Sequence, residues 1–209
     1  MIRFILQSAR YYWKGHLGLL FGAFLASAVL TGSLLVGDSV RASLRRVADL
    51  RLGKVQSGVL GGDRWFTNDL AKKSAAVPLI IANGAVSSGA GGKRVNAVQV
   101  LGVDADFWKL STSGKDVPLA PGEVAVNAAM AHKLGVGVGD TILVRLERPS
   151  AISRDARLSG STNEEVTLRR KVASVVNAED FGAFQLVAAQ TSPDSVFVGL
   201  EDLQSQIEM

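Results

Sequence analysis

At 209 residues, with 47% hydrophobic and 20% charged side chains, the chain has room for one ordinary domain, and its apolar excess is gathered in one early block. It has no cysteine, which excludes disulfide staples and thiolate metal sites and leaves the redox compartment open. The net charge of +4 would suit a nucleic-acid binder, but after Gly37 there are 20 Lys and Arg against 19 Asp and Glu, so no nucleic-acid surface is expected.

The first fourteen residues form a tail with Arg3, Arg10 and Lys14 and no acidic residue. Gly15 to Gly37 then runs 23 residues without a charge fixed at neutral pH. A helix of that length spans about 34 Å, enough to cross the hydrocarbon core with some tilt. Tyr11, Tyr12 and Trp13 stand just before it, where an aromatic belt meets the headgroups. A cleaved secretory signal is the competing reading, and Ala26-Ser27-Ala28 offers a small-residue site, but the apolar run continues nine residues beyond it. Gly18, Gly22 and Ala26 recur every four residues and form a smooth strip on which a second helix backbone could pack closely. The plainer reading is that small residues are common in membrane helices.

From Ser39 to Lys54, Val40, Leu44 and Val47 alternate with Arg41, Arg45 and Arg46 at helical spacing. This amphipathic stretch (residues 38–54) reads as a stalk that continues the apolar helix, its arginines solvated or touching headgroups. Five basic residues follow the apolar run closely (Arg41, Arg45, Arg46, Arg51, Lys54) against three before it, so charge counting alone does not put the N-terminus in the cytoplasm.

Residues 55–209 read as short elements separated by Gly-rich turns. Val77 to Val86 and Arg94 to Val103 are expected strands of a hairpin closed by the loop Ser87 to Gly92. Val124 to Val126 is a short strand, Asn127 an N-cap, and Ala128 to Leu134 a helix stopped by Gly135. Thr141 to Leu146 alternates as a half-buried strand. The Ser-rich segment between Arg148 and Glu165 reads as an exposed loop, followed by strands Val166 to Val176 and Ser195 to Val198 and a helix Leu200 to Ile207. Strands and short helices in mixed order give the α+β class.

No motif for catalysis or cofactor binding stands up. Gly89-Ala-Gly-Gly-Lys93 lacks the first glycine and the Ser or Thr of a phosphate loop, and no helix follows to present its amides. Gly135-Val-Gly-Val-Gly139 follows a helix and precedes a strand, the reverse of a dinucleotide fingerprint. His16 and His132 are far apart in sequence, no serine lies in a G-x-S-x-G elbow, and a Ser-Lys pair is the one enzymatic arrangement left open. No catalytic, cofactor-binding or metal-ligating residue is therefore assigned.

Taken as a set, the N-terminal apolar helix, Gly37-Asp-Ser-Val-Arg-Ala-Ser-Leu-Arg-Arg46, Gly122-Glu-Val-Ala-Val-Asn127, Ala131-His-Lys-Leu-Gly135, Gly139-Asp-Thr141 and Ser195-Val-Phe-Val-Gly-Leu-Glu-Asp-Leu-Gln204 resemble the FtsX-like permeases of MacB-type ABC transporters. The resemblance covers nearly the whole chain. It implies a mixed α+β extracytoplasmic domain of the MacB periplasmic type, a bacterial inner-membrane location with the N-terminus cytoplasmic, and a separate cytoplasmic ABC ATPase subunit that binds the ATP. It also implies membrane lipid and further permease helices, or a second permease copy, as neighbours, and export or lipoprotein handling as the task. Family members carry at least four membrane helices, whereas after Gly37 no uncharged run here approaches spanning length, so the sequence is expected to be an N-terminal part of such a permease. A single-pass anchored binding or scaffold module is the alternative, with a membrane-anchored Ser-Lys hydrolase behind it.

Overall fold

The computed structural model describes residues 2–61, 68–89, 92–147, 165–187, 189 and 191–207. The chain divides into two compact units, residues 1–47 and 48–209. The first holds helix α1 (Ile2–Tyr11) and most of helix α2 (Trp13–Leu52). Helix α2 is long and apolar enough to cross a membrane. Every residue from Trp13 to Asp49 is exposed, and forty residues of helix bury no side chain at all. An apolar helix without a buried residue has no source of stability in water, because packing of an apolar face is what ordinarily holds a helix in place. The helix runs unbroken through Gly37 and Asp38, and stops two residues before Lys54.

In the second unit the described elements are helix α3 (Asn68–Lys73), strands β1 (Ile80–Ser88) and β2 (Arg94–Val103), helix α4 (Ala105–Lys109), strand β3 (Glu123–Asn127), helix α5 (Ala128–Leu134), strands β4 (Thr141–Glu147) and β5 (Glu165–Val176), a 3-10 turn (Ala178–Asp180), strand β6 (Ser195–Gly199) and helix α6 (Leu200–Ile207). The β1–β2 pairing is antiparallel, as a hairpin requires, and its turn is closed by Ser88 N donating to Lys93 O at 2.9 Å. Strand β1 begins at Ile80 rather than Val77, since Pro78 has no N–H to give a ladder, and Val77 and Leu79 instead pack against an aromatic cluster. The polar segment expected to be an exposed loop, residues 148–164, lies outside the described residues.

The mixed α+β class holds, but the sheet is more than a set of hairpins. Its six strands close into a barrel in the order β1-β2-β6-β3-β5-β4, with β1 pairing β4 to complete the ring. Two of the six pairings, β2 with β6 and β3 with β5, are parallel. Alternation along each strand sends Val98 and Val100, Val124 and Val126, Ile142, Val144 and Leu146, and Val196 and Val198 into the barrel core. The same core takes in Met130 and Leu134 of α5 and Leu200, Leu203 and Ile207 of α6. The opposite faces of β2, β3 and β6 contribute Leu101, Val103, Ala125 and Phe197 to a second cluster with Phe107, Trp108, Phe181 and Phe184. Strands β3 and β6 and the second half of β2 are thus buried on both sides, which is why Val100 to Val103, Val124 to Val126 and Val196 to Val198 carry no charged residue.

Candidate functional site

Asp104 caps α4: its side chain accepts from Phe107 N at 3.0 Å, starting a helix of five residues that carries Phe107 and Trp108 into the second cluster. The Phe107 ring meets four others, with centroids 5.3 Å from Trp108, 4.9 Å from Phe181, 5.1 Å from Phe184 and 6.2 Å from Phe197. Each fully buried aromatic ring contributes on the order of 2–3 kcal/mol from burial alone.

The last turn of α2 is fastened to the same cluster. Residues Ala48–Leu52 belong to the second unit. Gly53, at φ +52, donates its N–H to Asp49 O at 2.8 Å, which is the left-handed cap that ends a helix with a single bond. Lys54 N donates to Leu110 O at 2.8 Å, Lys54 Nζ to Lys109 O at 3.1 Å, and Thr112 Oγ1 to Asp49 O at 3.1 Å. Arg51 Nη1 donates to Ala189 O. Apart from the Arg51 bond, these occupy carbonyls at the end of α2 and at the end of α4. Val55 then packs against the aromatic cluster.

Gly53 has no room for a side chain. A β-carbon there would overlap Leu110 O and stand 2.8 Å from Phe181 Cε1. Phe181 is itself fully buried and left-handed, at φ 69, a conformation that costs a residue with a β-carbon about 1–2 kcal/mol. It is held there from both sides: Gly182 N donates to Asn177 O at 2.8 Å and Phe184 N to Phe181 O at 2.9 Å. The turn before it is tied to the loop after α4 by Ser113 Oγ, which donates to Asp180 Oδ1 at 2.5 Å. Lys109, on the rim, hydrogen-bonds Asp106 at 2.6 Å, and that bond and then the carboxylate charge raise its pKa above the ordinary lysine value.

The residues singled out in the sequence fall elsewhere. Gly18, Gly22 and Ala26 are exposed on α2, and a β-carbon on Gly18 or Gly22 would have no atom within 4 Å. Arg41, Arg45 and Arg46 are exposed on the same helix. His16 and His132 are both exposed and belong to different units. Asn127 caps α5 as expected, accepting from Met130 N at 3.1 Å, and Gly135 ends it at φ 67. Asn127 also donates from Nδ2 to Gly182 O at 2.9 Å and Pro193 O at 2.8 Å, tying β3 to the segment that carries Phe181.

Sequence reasoning passed over Gly53 and Phe181. The signal for Gly53 was present, a glycine directly after the last periodic residue with Arg51 in the final turn. Nothing local marks Phe181 as its neighbour. Among the described residues no three His, Asp or Glu side chains are grouped as a metal site would need. The last turn of α2 and Gly53 thus form a joint within the second unit, held by hydrogen bonds beside a packed aromatic cluster.

The family model of the MacB-like periplasmic core domain matches residues 17–207. Among solved structures, the periplasmic region of MacB from Actinobacillus actinomycetemcomitans is similar, at 13% sequence identity and a TM-score of 0.40, over 68% of this chain and 56% of that one. The chain therefore spans little more than half the length of that solved region. No curated protein matches the chain.

Proposed function

This chain belongs to the MacB/FtsX-like permease family, and we propose that it works as the membrane and extracytoplasmic part of an ATP-driven ABC transporter, in which a separate cytoplasmic subunit hydrolyses ATP. In this reading Gly15 to Gly37 crosses the bacterial inner membrane with the N-terminus in the cytoplasm. Residues 38–52 carry the helix outward, and the barrel stands on the far side. Movement imposed on the membrane helices is used there to move or extract cargo.

The observation that carries this reading is the joint at Gly53. A helix transmits displacement along its axis because each backbone bond resists stretching, but only if its end is fixed to the load. A flexible linker would absorb the motion as entropy. Here the helix end is followed by a left-handed glycine packed against backbone and ring atoms, with four hydrogen bonds from Arg51, Thr112 and Lys54 around it. The exposed strip of Gly18, Gly22 and Ala26 supplies the packing surface for other permease helices or a second copy, since in lipid close backbone approach rather than hydrophobicity drives helix association.

Topology and coupling are tested together. Because the chain has no cysteine, single cysteines at Gln7 and at Ser113 can be labelled with a membrane-impermeant maleimide in right-side-out cells. Labelling of Ser113→Cys but not Gln7→Cys is expected, and the reverse pattern overturns the orientation. Co-expression with candidate ABC ATPase subunits should retain one of them through detergent purification. A chain that retains none, and whose genomic reading frame carries no further apolar span, acts as a single-pass anchored module instead.

A further inference from the structure

The outer surface of the barrel is of two kinds. On β2, β3 and β6 it carries the aromatic cluster, whereas the outward residues of β4 and of the matching part of β5 belong to neither apolar cluster. Ile142, Val144 and Leu146 of β4 and Leu168 and Val172 of β5 point into the core, so alternation turns Thr141, Leu143 and Arg145, and Thr167, Arg169 and Lys171, outward. Arg145, Thr167, Arg169 and Lys171 are exposed. The antiparallel register sets Arg145 opposite Thr167, Leu143 opposite Arg169 and Thr141 opposite Lys171. The three cations therefore stand at successive levels of one face, each about 6.8 Å beyond the last along the strands. Arg170, between two of them, pairs instead with Asp202, and none of the three forms an ion pair with a described residue. The carboxylates nearest in register stand at the two ends of the row: Glu147 opposite Glu165 beyond Arg145, and Glu123 beside Lys171, where Ala120 N donates to its Oε2 at 3.3 Å.

We propose that this face is a docking surface for an extended acidic segment of a partner protein, laid along β5 with a carboxylate at every second residue. Alternate side chains of an extended chain recur at about 6.6–6.8 Å, so three successive carboxylates on one side of it meet Arg145, Arg169 and Lys171 in turn. The two guanidinium groups can each take a carboxylate through a pair of parallel N–H bonds, which favours fixed carboxylates over diffuse counter-ions. Ala85 and Ser87 of β1 lie beside Arg145 and Leu143 in register, so small side chains flank the row and leave room for a strand to approach. Like charges at neighbouring positions of a sheet repel, and these three add nothing to either apolar cluster, so a bound acidic segment relieves a cost that the barrel otherwise carries. A lipid surface is a poorer match. A face that lies on a bilayer inserts large apolar side chains among the acyl chains, and between Thr141 and Arg145 and between Thr167 and Lys171 the one such outward residue, Leu143, is partly buried.

The full chain in non-ionic detergent at low salt is titrated against two labelled, capped peptides of equal composition, one with Glu and Thr alternating and one with its Glu residues in a single block, and binding is read by fluorescence anisotropy. The alternating peptide is expected to bind several-fold more tightly. Arg145→Gln, Arg169→Gln and Lys171→Gln together remove three exposed pairs and should weaken it about tenfold. The thermal midpoint should hold, because none of the three has an ion pair with a described residue to lose. Thr167→Glu removes no cation but sets a carboxylate opposite Arg145, and it should weaken binding as well. Arg41→Gln, Arg45→Gln and Arg46→Gln together remove as much positive charge from α2 and should leave the affinity unchanged. Equal binding of the two peptides overturns the proposal, since the chain then answers to net charge alone. So does wild-type affinity in the triple strand variant, or displacement of the alternating peptide by glycerol phosphate at equal charge, which makes the face a site for phosphate headgroups. If the triple variant unfolds, Thr167→Glu decides: a stable Thr167→Glu chain with wild-type affinity also overturns it. These outcomes do not depend on whether Gly15 to Gly37 spans a bilayer.

Discussion

The Cα of Gly53 lies so close to the ring of Phe181 that a β-carbon there would stand 2.8 Å from Cε1 and 3.0 Å from Cζ. Both residues are left-handed, one as a helix cap and the other as the exit from a 3-10 turn. The end of the long helix and a strained, fully buried aromatic therefore define each other's position.

Replacing Gly53 separates two contributions. Gly53→Ala imposes the left-handed penalty of about 1–2 kcal/mol and the overlap with Leu110 O. Gly53→Asn relieves most of the first and none of the second. Both variants should lower the thermal midpoint of the second unit, the alanine by about 4–10 °C and the asparagine by less, followed by circular dichroism in detergent. An asparagine variant as stable as wild type would show that the contact with Leu110 and Phe181 gives way without cost.

Asn127 has two tasks that substitution can divide. Asn127→Asp keeps the oxygen that accepts from Met130 N but removes the donor to Gly182 O and Pro193 O, and sets a negative charge against two carbonyls. Asn127→Ser keeps only the cap. Chemical denaturation should rank them wild type, then serine at a cost of about 2 kcal/mol, then aspartate lower still at pH 7. Because burial against carbonyls favours a protonated carboxyl, the aspartate variant should recover stability as pH falls through its raised folded-state pKa.

Arg170 and Asp202 form a bidentate pair, Nη2 to Oδ1 at 3.0 Å and Nε to Oδ2 at 3.1 Å, with side chains only 11% and 16% exposed. Asp202 Oδ2 also accepts from Gly122 N at 3.3 Å, so one carboxylate joins β5, α6 and the turn before β3. Asp202→Ala leaves the largely buried guanidinium without its carboxylate, keeping only the bond from Nη1 to Arg169 O, and should cost about 2–3 kcal/mol in urea unfolding. Arg170→Met with Asp202→Leu should recover much of that loss, since an apolar pair of similar volume avoids desolvating two charges.

Gly18→Leu and Gly22→Leu act on the other unit. Neither glycine has a neighbour within 4 Å of a β-carbon, so neither substitution should shift the unfolding of the barrel. If the strip packs against another helix, the double variant should weaken that association several-fold, consistent with helix contacts in lipid worth about 1–2 kcal/mol. Resonance energy transfer between labelled chains in vesicles, or loss of a co-purifying permease helix, reads it directly.

What was legible in the sequence was local. The apolar helix shows in an uncharged run longer than any soluble core needs, the α5 caps in Asn127 and Gly135, and the β1–β2 hairpin in two β-rich runs flanking glycines. Each depends on residues within one or two turns of one another. The short α4 went unseen because its five residues complete little more than one helical turn, and only Asp104 announces it. Helix α1 was hidden by reading Arg3, Arg10 and Lys14 as charge alone rather than as one side of a spacing.

Period, caps and composition thus determined by themselves that the chain has a long apolar helix, that a mixed α+β unit follows, and where several elements begin and end. Tertiary structure alone decided that six strands close into a barrel, that Gln99 to Val103 pairs in parallel with Ser195 to Gly199, and that Gly53 meets Phe181. The physical reason is degeneracy. Strands β3 and β6 and the second half of β2 are buried on both faces, so their sequences carry little alternation to say which neighbour they take or which side is core. Their pairing follows only from packing the Val-rich interior and the aromatic exterior at once. Phe181, which meets Gly53, belongs to that same aromatic exterior.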